Sequence, residues 1–127
     1  TPLYSSAASD VYKRQLVHKD ILSKRADLIR RFMRASTRAA EGAVQNPEEA
    51  TDALLKANPK AGKREVLLAG LKATIPLYHT KRTEGQRPFR VAPADMQATL
   101  DIMVEYGGVE PAQKGKPEDY YTNEFLP

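Results

Sequence analysis

A chain of 127 residues carrying a formal charge of +4 and a pI near 9.4 is one domain's worth, able to bury one modest core and not two. This mildly basic balance admits nucleic acid or an anionic membrane surface as a partner without requiring either. The absence of cysteine excludes disulfides, thiolate catalysis and cysteine-ligated zinc, and no run approaches the roughly 18 apolar residues of a membrane span.

Residues 1–15, TPLYSSAASDVYKRQ, show no helical period and no apolar face. The piece SSAASDVYKRQ resembles the translated adaptor read-through found at the ends of proteins deduced from assembled environmental DNA. We therefore set 1–15 apart as a non-native or disordered leader. No signal peptide is recognisable there, and on this reading its absence carries no meaning. Leu16-Val17-His18 reads as a short strand or extended entry, and Asp20 as the cap of a brief helical turn through Ile21 and Leu22.

The most informative stretch is Asp27 to Pro59, two helices joined by a sharp corner. On the first, Leu28, Phe32, Ala35, Ala39 and Ala43 share one side with Ile29, Met33, Ala40 and Val44 beside them. Arg30, Arg31, Arg34, Arg38 and Glu41 fill the remaining arc, so the apolar face is roughly 180° wide. At the corner, Asn46 suits a cap, Pro47 the first helical position, and Glu48 and Glu49 the positive end of the dipole. The second helix carries Ala50, Ala53, Leu54 and Ala57 and stops at Asn58-Pro59, because the residue before a proline avoids helical angles.

A third helix spans Lys63 to Ile75. Its Val66, Leu67, Leu68, Leu71 and Ile75 point in more than one direction, which predicts a helix sandwiched between neighbours, and Pro76 helps to stop it. Residues 78–91 are polar, basic and aperiodic and read as a loop. Pro93 opens a fourth helix with one buried stripe of Met96, Leu100, Met103 and Val104, ended by Gly107-Gly108. Val109 to Pro117 is expected to run extended over the surface. The close, from Glu118 to Pro127, is expected to make a terminal turn that tucks Phe125 and Leu126 into a groove.

No catalytic constellation is legible. His18 and His79 lack a second ligand at metal spacing, and Glu48/Glu49 and Glu118/Asp119 are accounted for by helix starts. Ser5, Ser6, Ser9, Ser23 and Ser36 have no histidine placed to activate them, and Gly107-Gly108 lacks a phosphate-loop pattern. No metal or cofactor is expected. Two weaker features are a basic stripe of Arg30, Arg31, Arg34 and Arg38 that could track phosphates, and the aromatics Tyr78, Phe89, Tyr106, Tyr120 and Tyr121 that could stack a planar ligand. A solvated helix face and edge-of-core packing are the plainer explanations.

LIRRFMRA, NPEEATDALLKANP, the helix end IPL and the terminal DYYTNEFLP together resemble, in order over about residues 16–127, the substrate-binding proteins of bacterial ABC importers for thiamine pyrimidine precursors, aliphatic sulfonates, taurine and nitrate. The ending Tyr121-Thr122-Asn123-Glu124-Phe125-Leu126-Pro127 is most similar to the thiamine-pyrimidine branch. The resemblance implies an α/β protein of two lobes that close on a small molecule and hand it to a membrane permease. It makes this chain the helical C-terminal part (16–127), periplasmic or membrane-anchored outside the cell. Where relatives often carry a tryptophan-bearing loop, this chain has Gln86-Arg87-Pro88-Phe89-Arg90-Val91, so no ligand contact is carried over. No nucleic acid is expected under this resemblance, and the uncovered fragment is expected to self-associate. Two alternatives stay open. One is a standalone helical protein binding nucleic acid through the Arg30–Arg38 stripe. The other is a pyrimidine-synthesising enzyme of the same family, whose catalytic histidine the resemblance places outside this chain.

Overall fold

A computed structural model describes residues 17–127, which form five α-helices and three 3-10 turns with no β-strand among them. The helices are α1 (Lys19–Lys24), α2 (Ala26–Gln45), α3 (Pro47–Ala57), α4 (Arg64–Thr74) and α5 (Pro93–Tyr106). The 3-10 turns cover Ile75–Tyr78, Pro111–Gln113 and Pro117–Asp119. The mainly helical expectation holds, with one short helix more than expected. The leader, 1–15, and Leu16 lie outside the described residues.

The cap of α1 is His18 and not Asp20. The imidazole Nδ1 accepts from the Asp20 backbone N–H at 3.3 Å, which leaves Asp20 in the first turn where its charge meets the dipole. Arg25, at φ −137°, breaks α1 from α2. The corner after α2 behaves as its residues dictate. Asn46 closes α2 by donating its N–H to the Gly42 carbonyl at 2.8 Å, and opens α3 by accepting from the Glu49 N–H at 3.2 Å. Pro47 takes the first position, where no N–H is needed.

The covered rows differ from the expected ones. On α2, Ile29 and Thr37 are buried and Met33 and Ala40 half-buried, whereas Leu28 is 37% exposed and Phe32 49%, with Ala35 and Ala39 also outside. The apolar arc is wider than α1, α3 and the terminal segment cover. On α3 the covered residues are Ala50, Thr51 and Leu55, while Ala53, Leu54 and Ala57 face solvent. Nor is α4 sandwiched. It packs against α3, with Leu67, Leu68 and Leu71 half-buried and Val66 66% exposed. The stripe of α5 holds at Met96 and Leu100 and fades by Met103.

Past Gly108, whose φ of 72° is one that glycine adopts at no steric cost, the chain does not run extended. It makes the two last 3-10 turns and folds back on α5, with Lys114 paired to Asp101. Pro76 likewise does not end α4 outright; the helix tightens into the 3-10 turn that contains it.

Ile29, Pro88, Met96 and Leu100 are the buried apolar side chains among the described residues. Leu28, Phe32, Leu54 and Val66 stay exposed, so the helices among the described residues are only partly covered.

Thr37 adds a cost inside that small core. Its side chain is fully buried and its Oγ1 has no hydrogen-bond partner among the described residues. Thr37→Val keeps the shape and removes the orphan hydroxyl, so it is expected to raise stability by about 1 kcal/mol. Chemical denaturation of the two chains, compared at constant m-value, reads this directly.

Candidate functional site

Two concavities stand out, and both involve α2. The first, about 160 Å³, lies between α2 and the terminal segment and is lined by Arg30, Arg34, Glu124, Phe125, Leu126 and Pro127. The Arg30 guanidinium pairs with Glu124 at 3.2 Å and sits 5.2 Å from the centre of the Phe125 ring. Phe125 and Leu126 are half-buried there, as expected, and the chain turns at Glu124-Phe125, where the Leu126 N–H donates to the Asn123 carbonyl at 3.2 Å. The second is an apolar groove of about 260 Å³ between α1 and α2, lined by Val17, Ile21, Leu28, Ile29, Phe32 and Met33. Each is open and smaller than the roughly 300–1,000 Å³ of a small-molecule site.

The terminal segment is held by a second contact that the sequence did not announce. The Asn123 side chain accepts from the Val91 N–H at 3.1 Å and donates to the Val91 carbonyl at 2.9 Å. One amide side chain thereby satisfies both backbone groups of a residue just ahead of α5. Thr122-Asn123-Glu124-Phe125 is in this way a clasp that ties the α5 entry to α2.

The 79–92 loop is aperiodic in sequence and ordered in structure. Asp95, in the first turn of α5, accepts from the Thr80 hydroxyl at 2.5 Å and from Arg82 at 2.6 Å, and buried Thr83 accepts from the Thr80 N–H at 2.9 Å. Arg87 reaches α2 through a two-pronged pair with Glu41 at 2.7 and 3.0 Å. Phe89 follows with φ 73°, a left-handed conformation rare for an aromatic residue.

The residues singled out for chemistry do not converge. His18 is spent on its cap, and His79 lies beyond the 3-10 turn after α4. Glu48 pairs with Arg64 and Lys72, and the Asp119 carboxylate accepts from the Lys116 N–H at 2.8 Å. Ser23 donates to the Asp20 carbonyl, Ser36 is half-buried on α2, and Ser5, Ser6 and Ser9 lie outside the described residues. No group of three or more metal-binding side chains occurs among the described residues. Tyr78, Phe89, Tyr106, Tyr120 and Tyr121 line neither concavity, and Tyr106 is 77% exposed. Of the arginine stripe, Arg30 and Arg31 are engaged by Glu124 and Asp27, while Arg34 and Arg38 have no ion-pair partner among the described residues.

The carboxylates that brace the fold share one electrostatic signature. Hydrogen bonds from Arg64 and Lys72 hold Glu48 below its ordinary range, and one from Arg64 does the same for Asp52. Arg87 lowers Glu41, the Thr80 hydroxyl and then Arg82 lower Asp95, and Lys114 lowers Asp101. A folded pKa below the unfolded one gives stability that is full above the unfolded value and is lost as pH falls through the folded one. The melting midpoint is therefore expected to hold from neutrality down to the ordinary carboxylate values of 4.5 and 3.8, then to fall. Glu48→Gln with Asp52→Asn should shrink that fall, measured by circular dichroism across the acid range. Each pair is well exposed, so each contributes little by itself.

Fold and site together define an all-helical unit with a clasped terminal segment, shallow concavities and apolar rows left uncovered. A protein-family model described as NMT1/THI5 like matches residues 6–50, a span that includes α1, α2 and the Asn46-Pro47 corner and begins within the leader. No curated protein matches the chain, and no solved structure does. Among the described residues no helix is long and apolar enough to cross a membrane.

Proposed function

We propose that this chain is the C-terminal part of the substrate-binding component of an ABC importer, one that captures a small molecule, best a thiamine pyrimidine precursor, for uptake. The chain itself performs no catalysis, and the whole protein works in the periplasm or anchored outside the cell, where it docks on its permease. The observation that carries this reading is the NMT1/THI5-like match over α1, α2 and the corner. The uncovered Ala53 and Leu54 of α3 and Val66 of α4 support it, because helices that clad a larger lobe need a second neighbour. So does the small size of both concavities among the described residues, which suits a ligand grip supplied by other parts of the protein.

Ligand capture would proceed by hinge closure of two lobes, to which these helices contribute rigidity. The test is a thermal-shift titration with the thiamine aminopyrimidine on two proteins, this chain and the complete reading frame that contains it. The complete protein should be stabilised in a saturable way and this chain should not. A clear shift for the isolated chain would overturn the reading. So would a complete reading frame that lacks two α/β lobes.

A further inference from the structure

We propose that the α1–α2 face is a docking surface for an anionic lipid bilayer, which takes the exposed apolar row into its interface and pairs with the basic residues beside it. This inference stands apart from the transport reading and uses only the described residues.

The row consists of Val17 and Ile21 from the α1 side and Leu28 and Phe32 from α2, all substantially exposed around the apolar groove. Ala35 and Ala39 continue it along the helix without bulk that would hold a flat surface away. Arg31, Arg34 and Arg38 occupy the adjoining arc of α2, and Lys19, Lys24 and Arg25 surround α1. The local acids Asp20 and Asp27 answer only Lys24 and Arg31, and Glu41 is taken by Arg87. The 20-residue α2 thus has an apolar strip edged with uncompensated positive charge, the arrangement by which a helix lies in a headgroup layer.

Other exposed apolar residues do not share this edge. Ile102 and Tyr106 sit on α5, whose residues Pro93–Tyr106 include no arginine or lysine to edge them. The same charge pattern disfavours a second copy at the α1–α2 face. A two-fold pairing would set the arginines of one chain against those of the other. A head-to-tail pairing with α5 finds Asp101 already held by Lys114. Nucleic acid would use the arginines and leave Phe32 and Leu28 without a partner.

The test is co-sedimentation of the 127-residue chain with phosphatidylglycerol vesicles and with phosphatidylcholine vesicles, at low and high ionic strength. Binding is expected to phosphatidylglycerol and to weaken with salt. Arg31→Gln, Arg34→Gln and Arg38→Gln together should weaken it on the order of 100-fold, about fivefold for each charge. Phe32→Ser should weaken it several-fold, and Ile102→Ser should leave it unchanged. All these positions are exposed, and circular dichroism of each variant verifies its helix content. Equal binding to both lipids, or binding indifferent to Phe32, overturns the proposal. Concentration-dependent self-association abolished by Phe32→Ser would assign the face to a second copy. Retention on duplex DNA lost in the arginine variant but kept by Phe32→Ser would assign it to nucleic acid.

Discussion

The Leu100→Ala chain is expected to lose about 3 kcal/mol of stability, the cost of a buried leucine truncated where the surroundings collapse only in part. For a domain of this size that is a drop in melting midpoint on the order of 10 °C. The effect is large because the core is small. Leu100 shares it with Ile29, Pro88 and Met96 among the described residues, so no deeper layer stands behind it. The control lies on the same helix two residues on. Ile102 is exposed, and Ile102→Ala should change stability by no more than about 0.5 kcal/mol. Equal midpoints for the two variants would mean that α5 is not seated on its N-terminal half as described. The same measurement bears on the wider reading, since a chain with so small a core gains more than most from a covering partner.

How far this could be read from residues depended on the range of the forces involved. The α2–α3 corner was legible almost atom for atom, because caps, Pro47 at the first helical position and the acidic first turn are local effects. The mainly helical class followed from periodicity for the same reason. Which row of each helix is covered was not legible. Leu28, Phe32, Ala35 and Ala39 are as apolar as Ile29, Met33 and Ala40, and only the position of the neighbours selects between them. Thr37 and Thr51 were passed over because a threonine is neutral on a wheel. Thr51 is buried because its hydroxyl donates to the Pro47 carbonyl at 2.8 Å, within its own helix. The 79–92 loop hid its order in the same way. Thr80, Thr83 and Arg82 look like solvated polar residues until Asp95 is brought beside them.

The candidate site was less legible than the fold. Phe125 and Leu126 were expected in a groove and are there, and the concavity beside them is lined by the tail itself together with Arg30 and Arg34. Nothing about an asparagine near the end of the chain signals that its partner is Val91, 32 residues away. The basic stripe was read as one feature and the structure divides it. Arg30 faces the tail, whereas Arg34 and Arg38 remain without ion-pair partners among the described residues.

Asn123→Ala is expected to cost about 2–3 kcal/mol, because it strands two backbone groups at once. The Val91 N–H and carbonyl are half-buried and both bond to the Asn123 amide. Asn123→Asp retains an acceptor for the N–H but presents a carboxylate to the carbonyl, so it should not restore the parent midpoint. Glu124→Gln removes only an exposed ion pair with Arg30 and should cost well under 1 kcal/mol. Amide hydrogen exchange separates a local clasp from general destabilisation. Exchange at Val91 and in the first turn of α5 should quicken in Asn123→Ala at conditions where α3 and α4 keep their protection. Uniform loss of protection would show instead that the tail is part of the single cooperative core. Either outcome bears on what the TNEFLP segment does. If Asn123 and Phe125 hold α2 and the α5 entry in place, the segment has a structural reason to exist that requires no ligand, and a pyrimidine contact need not be sought in it.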